Sequence, residues 1–413
     1  MTTIHVAGVA MTKFGPHPGA TVKSLTAEAV TACLADAGAV PGAVEAAYFS
    51  NTLQGLLEGQ LSIPGQIALR SAGVEGVPVV NVENACASGS TALWLACQHL
   101  LSGAADIVLA VGVEKMVFEA EAQRATVMRA FEGGMDVSGS DDALATLTRL
   151  GAGVEGPSGE GHRTRFMDIY AALCRAHMAR FGTTQRQLAI VASKNHDHSV
   201  HNEKCHFRKA MSVDEVLAAR PLGYPLTVAM CSPLSDGAAA ALLCTDAGLR
   251  KLQGQAPSVL IKACELTSAS TRDFADFDAH VARRAARTAY MRAGLGPEDI
   301  DVAEVHDAAA FGEIFMTELL GFCPMGEGGP LAERGETRIG GRIPVNPSGG
   351  LESKGHPIGA TGLGQIYELT QQLRGTAGPR QVQGARTALQ ENSGGLLGIE
   401  EGAAVVTILQ RQK

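Results

Sequence analysis

Much that would classify this 413-residue chain quickly is missing from it. Its start, MTTIHVAGVAMTKFG, has no basic stretch followed by a long apolar core, so no secretory signal is read there. No apolar run approaches the length that spans a bilayer, and the ending LQRQK carries no SKL-type peroxisomal address. The nine cysteines are odd in number and form no CxxC pair, which points to reduced thiols in a cytoplasm rather than a disulfide framework. A net charge of −8 argues against a general nucleic-acid binder, while leaving room for a local basic patch that holds an anionic ligand. There is no GxSxG elbow and no GxGxxG after a strand. GxxxxGK[ST] fails too, because Lys354 is followed by Gly355. Serine-hydrolase, dinucleotide and P-loop readings therefore lose their support.

What remains is an ordinary globular composition, 46% hydrophobic and 18% charged, with 49 glycines gathered in short clusters. Strand-like and helix-like segments alternate. IHVAGVAM (4–11), AAYFSNTL (46–53), VPVVNVEN (77–84) and ADIVLAVGVEKM (105–116) read as strands, and VKSLTAEAVTACLADAG (22–38) as a helix. This alternation predicts an α/β layered fold. The second half replays the first. SDGAAAALLC (235–244) is echoed by EEGAAVVTIL (400–409), and the helix that opens after Cys86 by GHPIGATGLGQIYELTQQL (355–373). About 150 residues separate helix opening from closing strand in the first copy and about 40 in the second, so one copy carries an insertion of roughly 100 residues. The predicted units are 1–116 plus 226–252, an inserted loop domain at 117–225, and a second half at 256–413.

In α/β sheets, working residues gather at strand exits and helix starts. Cys86 lies in NACASGSTALWLA at such a start, either as small core packing or as a nucleophile favoured by the helix N-terminus. His306 follows the strand IDVAEV, and His356 lies in the Gly-rich loop NPSGGLESKGHPIGATG. Each histidine has a bland alternative, as a satisfied strand-end residue or a turn terminator. QENSGGLLG (390–398) is a Gly-rich turn whose N–H groups could hold an oxyanion. KNHDHSVHNEKCHFRK (194–209) is rich in histidine, but its spacing matches no common zinc pattern; a basic surface helix and turn is expected.

Taken with CSPLSDGAAAALL (231–243), VHDAAAFGE and GFCPMGEGG (321–329), these motifs resemble the thiolase superfamily end to end, most closely its sterol-carrier-protein-x branch and bacterial lipid-transfer thiolases. The resemblance implies two βαβαβαββ halves in a five-layered αβαβα arrangement with an inserted loop domain. It implies an acyl-CoA C-acyltransferase that cleaves or forms 3-oxoacyl-CoA. Cys86 would be acylated, His356 would take its proton, and His306 would bind the thioester oxygen. The turn with Asn392 and Gly394 would form an oxyanion hole, and a Cys86 thiol pKa lowered by the imidazole and helix terminus is expected. Coenzyme A thioester would be the substrate, with no bound cofactor or metal, and Lys194, Lys204, Arg208 and Lys209 are candidate phosphate contacts. A homodimer or dimer of dimers is implied as well.

One part is absent. Relatives carry a second, acid/base cysteine in a CxGG turn or an HDCF motif, and those positions are Asn392 and Ala308 here. His306 or a water is left to serve; Cys231 and Cys323 are read as lying outside the site. Two other classes follow from this gap: a retro-aldolase lyase working with a small zinc-ribbon/OB-fold partner, and a non-catalytic CoA- or lipid-binding subunit. Retention of Cys86 and His356 weighs against the lyase. No sterol-carrier domain is expected after the last predicted strand.

Overall fold

The computed structural model describes residues 2–157, 159, 164–254 and 256–412. Among these, nine strands form one mixed sheet: β1 (Ile4–Met11), β2 (Ala46–Ser50), β3 (Val79–Val82), β4 (Ile107–Glu114), β5 (Gly237–Cys244), β6 (Val259–Ser268), β7 (Val302–Glu304), β8 (Thr387–Gly394) and β9 (Ala403–Arg411). Their order is β3-β2-β4-β5-β1-β6-β9-β8-β7. The repeat is visible in the pairing. In the first half β2 runs parallel to β4, β4 antiparallel to β5 and β5 antiparallel to β1. In the second, β7 runs parallel to β8, β8 antiparallel to β9 and β9 antiparallel to β6. Antiparallel pairing of β1 with β6 joins the halves.

Strands β1, β4, β5 and β8 are buried along their whole length. Near-continuous apolar runs such as IVLAVGV are what a strand covered on both faces requires. The helices Ser88–Leu101 and Thr361–Arg374 fill the middle layer, and their apolar faces share one core with β1, β4 and β5 on one side and β9 on the other. Helix Val22–Asp36, opened by a Thr21–Ser24 capping box, covers the outer face of the first half. Val281–Ala293 does the same for the second. Helix, half-sheet, helix, half-sheet, helix, with the one sheet supplying both strand layers, is the five-layered α/β arrangement expected.

Buried carboxylates set two of the strand ends. The strand expected over 46–53 stops at Ser50 because Thr52 and Leu53 donate their N–H groups to the buried Glu114 carboxylate, at 3.1 and 3.0 Å, instead of to a ladder. The strand closing the first half starts at Gly237, after the acidic-Gly turn, since Asp236 is spent accepting from the backbone N–H groups of Met116 and Val117, both at 2.7 Å. The connection between β4 and β5 contains helices Glu121–Glu132, Ser140–Leu150, Arg165–Phe181, Gln185–Ser199 and Val213–Ala218, where β8 to β9 needs only a short turn. Residues 194–209 are not the exposed helix expected. Lys194, Asn195, His196, His198 and Ser199 are buried, since this stretch supports the loop around His356. His196 pairs with Ser353 Oγ at 2.8 Å, His198 with the Asn346 carbonyl at 3.0 Å, and Cys205 donates to the Ser348 carbonyl at 3.1 Å.

Candidate active site

Three loops from both halves converge where β3, β7 and β8 end. The turn after β3 holds Ala85 at φ +48°, a left-handed conformation that costs an L-residue about 1 kcal/mol. Its neighbours hold it there. Ser88 Oγ accepts from Asn84 N–H at 2.8 Å and donates to the Ala85 carbonyl at 2.6 Å, while Glu83 accepts from Ala85 N–H at 2.6 Å. The turn lifts Cys86 to the N-terminal end of the Ser88–Leu101 helix. Gly394 on β8 lies against it; a Cβ there would come within 2.3 Å of Ala87 N and 2.7 Å of Cys86 N.

Cys86 Sγ and His356 Nε2 are 3.2 Å apart. On its other side His356 Nδ1 meets Thr361 Oγ1 at 2.7 Å, and that hydroxyl is 3.0 Å from the Pro357 carbonyl. The hydroxyl has one proton and gives it to the carbonyl, so it accepts from Nδ1–H. Nε2 is thereby left as a lone pair facing the thiol, the geometry of a base beside its nucleophile. The rings of His306 and His356 are 5.2 Å apart, and His306 Nε2 is buried without a hydrogen-bond partner among the described residues. One donor atom from each of Cys86, His306 and His356 lies within 4.8 Å of the others.

Burial decides the charges. It pushes His306 down to about 4 and, with the neighbouring His306 and Lys354, His356 well below its ordinary range, so both rings are neutral at pH 7. The lowered thiol expected for Cys86 does not hold. Burial raises it to about 12, outweighing the backbone N–H groups of Gly395 and Cys86, which pull downwards. The resting pair is a neutral thiol and a neutral imidazole.

These residues sit in a cavity of about 580 Å³. The segment between β4 and β5 supplies most of its apolar wall, including Met128, Phe131, Phe166, Met167, Met211 and Leu222, with Lys209 and Arg220 as the cations. The other candidates fall into place unequally. Lys194 is a correction: it is 1% exposed and bonded to Glu313 Oε1 at 2.5 Å, where no ligand phosphate reaches it. Lys204 is half-buried away from the cavity lining. Arg208 is exposed and donates to the Val200 carbonyl at 3.2 Å, and Lys209 lines the cavity. Asn392 is also displaced from its expected role: its Oδ1 accepts from Ser90 Oγ at 2.9 Å in the interior, and Gly395 is the residue of that turn that reaches the cavity. Sequence reasoning missed Cys231, whose backbone bridges Ala309 and which lines the cavity after all, and Arg220 and Glu352 beside it. The CSPLSDG and GGLESKG motifs were the available signals. Glu114 was missed as well; it ties Gly359 N–H, at 3.0 Å, to the loop at 51–53 and so fixes the turn after His356.

The structure is a paired α/β repeat with one cysteine and two histidines gathered at its centre. The chain matches the family described as Thiolase, N-terminal domain, over residues 4–247 and Thiolase C-terminal domain-like over 263–411. It belongs to the thiolase family. It is 40% identical to sterol carrier protein 2 of Bos taurus over 98% of this chain and 72% of that one. Identity to an acetyl-CoA acetyltransferase of Methanothermobacter thermautotrophicus is 39% over the whole of both chains. Identity to non-specific lipid-transfer protein-like 2 of Caenorhabditis elegans is 35%, covering 95% of this chain and 93% of that one. A solved structure named Ltp2-ChsH2(DUF35) aldolase superposes with a TM-score of 0.77 over 100% of this chain and 99% of that one, and at 20% identity it shares the fold alone.

Proposed function

We propose that the protein is an acyl-CoA C-acyltransferase that cleaves or forms 3-oxoacyl-CoA through acyl-Cys86. The observation that carries this reading is the 3.2 Å pair of Cys86 Sγ and a correctly oriented His356 Nε2 inside an apolar cavity. His356 takes the thiol proton as sulfur attacks the 3-carbonyl, so no free thiolate is needed beforehand. The Gly395 and Cys86 N–H groups face the sulfur and would stabilise the oxyanion beside it. A thioester carbonyl would give the unpartnered His306 Nε2 its hydrogen bond. Lys209 and Arg220 in the cavity wall, with the exposed Arg208 next to Lys209 in the chain, are the cations that would meet the phosphates of coenzyme A, while the aromatic and methionine wall suits a large apolar acyl group.

The test is intact-protein mass after mixing with acetoacetyl-CoA and then longer 3-oxoacyl-CoAs. We expect a gain of one acyl group, lost on adding CoA and absent from Cys86→Ala. Binding without any adduct across all chain lengths would overturn acyl transfer in favour of a lyase or a non-catalytic binding subunit.

A further inference from the structure

Acyl transfer leaves one proton unassigned. When the C2–C3 bond of a 3-oxoacyl thioester breaks, its electron pair stays on C2, and that carbon must be protonated. His356 is already occupied with the Cys86 proton. Ala308 and Asn392 offer no acid, and Asn392 faces the interior.

We propose that Glu352 is the catalytic acid and base at the substrate α-carbon, an assignment that builds on the acyl-transfer reading above. Among the described residues Glu352 is the carboxyl that lines the cavity with Cys86, His306 and His356. It is 1% exposed. Its Oε2 is anchored by Asn195 Nδ2 at 3.2 Å, while Oε1 has no hydrogen-bond partner. One oxygen is thus held and the other left for a ligand.

Charge counting sets its resting state. The same Asn195 amide nitrogen meets Asp307 Oδ2 at 3.0 Å and Glu313 Oε2 at 3.3 Å, and Lys194 is paired with Glu313. Three buried carboxyls around one ammonium do not all ionise. Glu352 has no ion-pair partner among the described residues, so it keeps its proton; burial, Asp307 and Glu313 all push it well above the ordinary carboxyl range.

A neutral acid fits the cleavage direction. Cys86 gives its proton to His356 Nε2 and bonds to C3. As the C3–O⁻ pair re-forms the carbonyl, C2–C3 breaks, and C2 takes the Glu352 proton, releasing acetyl-CoA and leaving the shortened acyl group on Cys86. Coenzyme A thiol then attacks acyl-Cys86, giving its proton to the Glu352 carboxylate, and the departing Cys86 sulfur recovers the His356 proton. Both groups end as they began. Cys231 shares this wall, but burial raises its thiol and weakens it as an acid.

The experiment compares wild type, Glu352→Gln, Glu352→Asp and Cys231→Ala in two reactions. Acylation of Cys86 by 4-nitrophenyl butyrate, read by intact mass, needs neither chemistry at C2 nor a proton on the leaving group. Exchange of the acetyl-CoA methyl protons in D2O, read by mass, needs that chemistry, carried by the ionised fraction of Glu352. Expected for Glu352→Gln are acylation within about twofold of wild type, which also shows the variant is folded, and exchange slowed at least 100-fold, the lower limit for a lost general acid or base. Glu352→Asp should recover part of the exchange, and Cys231→Ala should leave it within threefold. Exchange retained by Glu352→Gln, or lost in Cys231→Ala alone, overturns the assignment. Wild type that exchanges through Glu352 without acylating Cys86 would sink the acyl-transfer reading while upholding the residue.

Discussion

At the scale of single residues, the site is governed by burial rather than by charge. A thiol held near pKa 12 ionises tenfold more with each pH unit below that value. Alkylation of Cys86 by iodoacetamide, followed by peptide mass, should therefore climb without a plateau between pH 6 and 9. A thiolate–imidazolium pair would instead give a plateau. Thr361→Val removes the acceptor that fixes the His356 tautomer, and we expect acylation to slow by about 100-fold, of the order of losing a general base. Glu391 gives a stability test. Its carboxyl, which accepts from His306 N–H at 3.0 Å, is pushed up to about 8 by burial, against about 4.3 when unfolded. The unfolded chain thus loses this proton first, and its contribution to stability falls as pH rises from about 4.3 to 8. Glu391→Gln should flatten that slope, gaining melting temperature relative to wild type at pH 8 more than at pH 5.

At the scale of elements, hydrophobic runs made most of the sheet readable. IHVAGVAM and GAAAALLC admit few alternatives, because an uninterrupted apolar stretch of that length must be covered on both sides. The repeat was readable as well, because β5 and β9 are entered by similar acidic-Gly turns. Less legible was anything set by side chains meeting across long separations. Nothing near Lys194 announces Glu313, and nothing in CSPLSDG tells that Cys231 will lie against Ala309. Exposed and buried cations look alike in a string of letters, which is why a histidine-rich helix passed for a surface one. The turn at Cys86 belongs to this scale too. Gly394→Ala would drive a Cβ into backbone rather than into a yielding side chain. We expect about 1–3 kcal/mol of destabilisation by denaturant titration and loss of acyl-adduct formation, because the nucleophile turn must move.

At the scale of the whole molecule, β3 closes one edge of the sheet and exposes Val80, with Leu61 and Ile63 also exposed just before it in the chain. A bare edge with apolar side chains is a surface that proteins cover. We expect a homodimer through it, so light scattering should give twice the chain mass, and Val80→Lys should shift the population towards monomer. No helix among the described residues is long and apolar enough to cross a membrane. Cys86 and His356 stand 270 positions apart in the chain, one from each half. Ribosomes deliver the first half earlier, and domains generally fold as they emerge. For that interval Cys86 is a thiol with no imidazole beside it. On the acyl-transfer reading, an unfinished copy released before His356 is made holds the sulfur without the base that would use it.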